Sequence, residues 1–191
     1  MARGRRVNSS GEKSKQLLLE KAIEQFSTYG YHQTKISDIV KAANLTQPTF
    51  YLYFKSKESL FKDLNEQFQN DLGEVFSDGY TAKKNDSNGM KNHIQENLTR
   101  IFSYFVENPK LTKIGFYESE QAADVKEMLV TRLLNEIENE QHQINTLTHV
   151  DTRILADSLL GSMERLTWTT LLTEKSNPEK LSEDIVNIYF A

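Results

Sequence analysis

An all-α fold of about nine helices is predicted by three observations. Apolar residues recur at three- and four-residue spacing along nearly the whole chain. Only 3 prolines and 8 glycines interrupt 191 residues, so few breaks separate the periodic segments. The one stretch that first resembles a strand, Phe50-Tyr51-Leu52-Tyr53-Phe54, starts two residues after Pro48 and ends against Lys55 and Lys57. No other segment competes for a strand, and no internal repeat is present.

Taken in order, residues 1–12 are polar and basic and are expected to be a flexible arm. The first helix is expected from Ser14 to Tyr29, with Leu18, Leu19, Ala22, Ile23 and Phe26 on one face and Gly30 at the C′ position. A second, short helix opens near Thr34 or Lys35 and carries Ile36, Ile39, Val40 and Ala43. Thr46 is a good N-cap for a third helix over 47–54, with Pro48 tolerated in its first turn. Ser56 caps a fourth, which runs to about Ser77 with Leu60, Phe61, Leu64 and Phe68 on its apolar side. Residues 77–89, SDGYTAKKNDSNG, form the clearest loop. Met90, Ile94, Leu98, Ile101, Phe102, Phe105 and Val106 then trace an amphipathic helix that ends at Asn108-Pro109. Further helices are expected over 109–118, 121–144, 151–173 and 178–190, the last two separated by EKSNP.

Charge divides the chain. The net charge is −4, yet residues 1–62 hold eleven Lys/Arg against five Asp/Glu, a balance of +6. Residues 63–191 hold twelve against twenty-two, a balance of −10. A basic head on an acidic body suits nucleic acid at one end and a neutral ligand or partner at the other. With no cysteine, disulfides, thiolate metal sites and a cysteine nucleophile are excluded. No apolar stretch follows the cationic start, and none approaches a bilayer span, so a soluble cytoplasmic protein with no membrane partner is expected. His32, His93, His142 and His149 have no metal-ligand spacing, and neither a Gly-rich phosphate loop nor a Gly-x-Ser-x-Gly elbow occurs. The sequence therefore predicts no enzyme, no metal and no cofactor.

The second and third helices are joined by only two or three residues around Asn44-Leu45, which describes a helix-turn-helix. The stretch FSTYGYHQTKISDIVKAANLTQPTFYLYFKSKESLF resembles the N-terminal domain of TetR-type bacterial transcriptional regulators (the TetR/AcrR family) over about residues 14–64. The likeness lies in Phe…Gly-Tyr…Thr…Ile, closed by Thr-Phe-Tyr-x-Tyr-Phe and Ser-Lys-Glu-x-Leu. It implies a helix-turn-helix DNA-binding domain over 13–56 and a helical ligand-binding and dimerisation domain over 57–191.

At 100° per residue, Phe50 and Phe54 share a core face, while Tyr51 and Tyr53 point away from it. Their phenols, the Thr49 hydroxyl and the Lys57 ammonium at a helix start suit phosphate oxygens. Gln47 is the candidate base reader, because its amide fits adenine N6 and N7. The resemblance implies the same for Gln47, sets Pro48 against a thymine methyl, and gives Thr49 and Tyr51 DNA contacts beside the capping Thr46. Where a repressor of that family has a base-reading Arg early in the second helix, this chain has Ser37, flanked by Lys35. Arg3, Arg5 and Arg6 are candidates for minor-groove or phosphate contact.

One helix-turn-helix neutralises few phosphates, so a homodimer on a double-stranded operator is expected. The family implies that the last two helices form the interface, through Leu155, Leu159, Ser162, Met163, Leu166, Leu181, Ile185, Ile188 and Tyr189. It also implies a small-molecule effector held among middle-helix residues, here Phe102, Phe105, Phe116, Tyr117, Met128 and Trp168. The acidic face of 118–140 favours a cationic or neutral one. A second reading makes the chain a ligand-binding or protein-interaction module whose head no longer reads DNA; the intact Gln47, Tyr51 and Lys57 set beside a +6 head argues against it.

Overall fold

The computed structural model describes residues 7–77, 89–140 and 150–190. Nine α-helices and no strand occur among the described residues. They are α1 (Val7–Tyr29), α2 (Ile36–Ala42), α3 (Gln47–Tyr51), α4 (Lys57–Ser77), α5 (Gly89–Glu107), α6 (Pro109–Thr112), α7 (Ala122–Glu140), α8 (Thr152–Leu166) and α9 (Pro178–Tyr189). Two π-helical turns, Lys113–Glu118 after α6 and Thr167–Leu171 after α8, extend the helices they follow.

Most expected boundaries hold. Gly30 adopts φ 80° and donates its N–H to Phe26 O at 2.8 Å, closing α1 as a C′ glycine should. Ser56 and Ser59 cap the start of α4 reciprocally, each hydroxyl accepting the other's N–H at 3.1 and 3.2 Å. Asn177 Oδ1 accepts Lys180 N–H at 2.8 Å and starts α9 just ahead of Pro178. Two expectations need correction. Helix α1 begins at Val7 and not Ser14, so half of the supposed arm is helical; Arg3, Arg5 and Arg6 lie outside the described residues. Helix α3 ends at Tyr51, and a turn carries Leu52 and Tyr53 on to Phe54.

The chain divides into two compact units, one of Met1–Phe68 with Lys110–Ser119 and one of Gln69–Pro109 with Glu120–Ala191. The expected boundary after residue 56 therefore differs from the packing. The first unit closes around Leu18, Phe26, Ile39, Phe50, Leu60, Leu64 and Phe68, all wholly buried. Each large side chain buried in this way contributes roughly 2–3 kcal/mol. The segment after α6 belongs to this core: Leu111, Ile114 and Phe116 are buried, and Lys113 Nζ donates to Ser27 O at 2.7 Å. Gly115 lies so close to Phe68 that any Cβ there would overlap the ring.

In the second unit α5 packs against α9 and α7, and α8 packs against α7 and α9. Its core includes Ile94, Leu98, Phe102, Phe105, Leu129, Leu159, Met163 and Ile185. Polar ties fasten the helix pairs. Tyr104 donates its hydroxyl to Asp71 Oδ2 at 3.1 Å, and burial beside that carboxylate pushes the phenol far above its ordinary range. Lys126 meets Glu164 at 2.7 Å, and Arg153 forks onto both oxygens of Glu127 at 2.8 Å while also reaching Asp157.

Candidate nucleic-acid interface

Helices α2 and α3 are joined by Ala43, Asn44 and Leu45. Asn44 takes φ 52°, a left-handed conformation that asparagine tolerates, and Leu45 N–H bonds to Val40 O at 2.8 Å. This tight turn sets the direction of α3. Thr46 Oγ1 accepts the Thr49 N–H at 3.3 Å and shares a 2.9 Å hydrogen bond with Thr49 Oγ1, so the cap also orients a second hydroxyl. Phe50 and Phe54 are buried with ring centroids 5.5 Å apart and hold the helix down by one side.

The opposite side is left to solvent. Thr46, Gln47 and Pro48 are exposed and Thr49 half-buried. Tyr51 is 55% exposed, and its ring stands edge-on to Phe50. Leu52 is 77% exposed, an apolar side chain that the sequence does not single out. Its position directly after Tyr51, in a run otherwise assigned to core or phosphate, was the available signal. Lys35 and Ser37 are exposed at the start of α2, where Lys35 N–H donates to Asp38 Oδ2 at 3.1 Å.

Two residues sit differently from expectation. Tyr53 is half-buried, and its hydroxyl lies against Gly11 of α1 and does not stand clear of the head. Lys57 turns inward: Nζ donates to Tyr31 O at 2.8 Å and Thr34 O at 3.0 Å and rests 4.2 Å from the centre of the Tyr31 ring. Next to it, Glu58 accepts the Tyr31 hydroxyl at 2.9 Å, and hydrogen bonds from Ser56, its own backbone and Tyr31 hold its carboxyl below the usual range. The first turn of α4 thus clasps the loop that leads into α2. An ammonium between two carbonyls is first a clamp on this loop, with one N–H left over.

The head matches the model of the bacterial regulatory proteins of the tetR family over residues 18–64. A Bacillus subtilis protein named as the uncharacterized HTH-type transcriptional regulator YdgC is 32% identical over 182 residues, covering 95% of this chain and 93% of that one. The chain belongs to the tetR family. Solved structures of that fold follow it throughout. A TetR-like transcriptional regulator from Rhodococcus sp. RHA1 superposes with TM-score 0.76 at 18% identity, covering 93% of both chains. FadR from Bacillus subtilis, solved in complex with stearoyl-CoA, gives 0.70 at 19% identity over 92% of this chain and 97% of its own. The tetR-family chain is accordingly a transcriptional regulator with a helix-turn-helix head.

The six residues expected to surround an effector are divided between the two units. Phe102 and Phe105 are fully buried in the second unit, whereas Phe116 and Tyr117 belong to the first, with rings 5.2 Å apart. Met128 is half-buried, and Trp168 is 45% exposed. The residues expected at a dimer interface differ in exposure within the single chain. Leu155, Leu159, Met163, Leu181 and Ile185 are buried by the chain's own helices. Leu166 is half-buried, and Ser162 and Tyr189 bond to each other at 2.6 Å. Of that set only Ile188, 72% exposed, faces outward. Ile154 at 64% is exposed as well, and Ile154, Gly161 of α8 and Trp168 of the π-helical turn that follows recur at seven-residue spacing.

Proposed function

We propose that the protein is a homodimeric repressor that binds a palindromic operator and leaves it when a small molecule occupies the helical body. The observation that carries this reading is α3. Gln47, Pro48 and Tyr51 stand exposed together on one short helix, capped by Thr46 and anchored by Phe50 and Phe54. A rigid support beneath exposed polar groups is what base readout requires. Gln47 reads a base, Pro48 packs on a thymine methyl, and Thr49 and Tyr51 bind phosphate with Lys35, Ser37 and the arginines ahead of α1. Lys57 and Tyr53 act chiefly by holding the head together.

The second copy docks on the outward stripe of Ile154, Gly161 and Trp168 with Ile188, because the inward face of α8 is already covered. FadR, which shares the fold, was solved with stearoyl-CoA, and this supports a ligand-holding body here. A ligand that prefers one dimer conformation then weakens the fit to the operator. Such a regulator works in the cytoplasm, where its DNA lies.

Selection from random DNA tests the reading: it is expected to return a palindrome. With about four phosphates per head, log affinity against log salt should slope at about −7. Gln47→Ala should cost about 1–3 kcal/mol and relax preference at one base pair of each half-site. Enrichment of no palindrome would overturn the reading.

A further inference from the structure

Among the described residues, the second unit buries three side-chain polar atoms without a hydrogen-bond partner: Glu136 Oε2, Arg100 Nη1 and Thr167 Oγ1. Glu136 borders a small cavity. Its other oxygen, Oε1, accepts a hydrogen bond from Asn97 Nδ2 at 2.9 Å, and His93 Nε2 lies 3.1 Å from the same amide and 4.0 Å from that oxygen. The carboxyl is only 19% exposed, and burial pushes it up to about 7 despite the Asn97 bond and the charge of Arg132. The cavity beside it, about 10 Å³, is bordered by Asn97 and Glu136 and presents apolar surface, with Leu98 of α5, Leu129 and Leu133 of α7 and Met163 of α8 in its walls.

A carboxyl that only tied α5 to α7 would be expected to have both oxygens satisfied, since an orphaned buried acceptor is costly. Here one oxygen is held and aligned, and the other has a capacity to accept that the described residues leave unused. A cation that donates a hydrogen bond would satisfy that oxygen and offset the cost of burying its charge. A second anion beside it would be repelled. The walls accept an apolar body: the cavity holds roughly one water, so a ligand enters by displacing the flexible Met163 and its aliphatic neighbours. The balance of −10 over residues 63–191 favours approach of a cation as well.

We propose that Glu136, aligned by Asn97, anchors the effector site, and that the effector is an apolar molecule ending in a protonated amine. The proposal rests on the reading of the protein as a ligand-responsive regulator. It separates this chain from FadR, whose solved complex holds an acyl-CoA, an anion.

The test uses decylamine, decanol and decanoate below their micelle concentrations. Each is titrated calorimetrically into the full chain and added to its selected operator complex. Decylamine should bind at least tenfold more tightly than decanol, with decanoate weakest, and should dissociate the operator over the same concentration range. Glu136→Gln should abolish the preference of amine over alcohol, whereas Glu136→Asp, which keeps the charge, should retain it at reduced affinity. Equal or tighter binding of decanoate overturns the proposal, as does silence toward decylamine or an amine preference that survives Glu136→Gln. Operator binding by the ligand-free protein is read in the same assay. Its absence would sink the regulator reading itself, while intact DNA binding without an amine response sinks only this inference.

Discussion

The two compact units differ in the long-range polar ties that hold their elements together. In the first, the side chains that matter for geometry are clasped on backbone: Lys57 between the Tyr31 and Thr34 carbonyls, Lys113 on Ser27 O, and Thr34 Oγ1 on Gly30 O. In the second, charges pair on the surface, as in Arg153 with Glu127, while Glu136 sits inside with an oxygen unmet. The difference teaches what each unit is for. A DNA-reading head must present one geometry, so its loops are locked by short charged hydrogen bonds. In the second unit the carboxyl of Glu136 is the buried polar capacity that the proposed effector would use.

The largest expected effect comes from filling the closest packing of the first unit. Gly115→Ala drives a methyl into Phe68 and should cost about 3 kcal/mol in chemical denaturation. A neutral result would mean that this unit is less tightly locked than the contrast requires. Next is the pH dependence of the second unit. Because Glu136 is raised from 4.5 to about 7, the folded state holds its proton more tightly than the unfolded state does. Its contribution to stability is therefore greatest below pH 4.5 and falls as pH rises to 7, by up to about 3 kcal/mol. Glu136→Gln should remove that decline, seen by comparing melting at pH 5 and pH 8.

Lys57→Met should cost about 2 kcal/mol of stability without any DNA present. If stability is unchanged and only the salt slope of operator binding falls, Lys57 is a phosphate ligand after all and the clasp is incidental. Smallest is Arg153→Ala. Its fork onto Glu127 holds that carboxylate below the usual range, but both groups are exposed. The change should hardly move the melting temperature at physiological salt, and a marked loss would place surface pairs among the supports of the body.

Much of the head was legible because its signals are local. Gly30 as a C′ residue, Thr46 as a cap and the Phe50–Phe54 pair each depend on neighbours within four residues. Lys57 was not legible: its partners Tyr31 and Thr34 lie more than twenty residues away, and nothing in a lysine's surroundings announces a carbonyl partner. In the body, an apolar stripe says that something covers it without saying whether the cover comes from the same chain. Leu159 and Met163, expected at an interface, are covered by the chain's own helices. Trp168 could have been placed, since it stands seven residues from Gly161 and fourteen from Ile154, on the outward face. Glu136 also left a trace, seven residues after buried Leu129 and one before buried Ile137, an acid in an apolar phase.

Trp168 is also the chain's one tryptophan, and it stands 45% exposed on the stripe assigned to the second copy. If the proposed second copy docks there, the ring is an optical gauge of self-association. Indole emission should move to shorter wavelength as a partner shields the ring and back again on dilution. The midpoint of that shift gives the dimer constant on unlabelled protein, and with no cysteine in the chain no disulfide exchange blurs the reading.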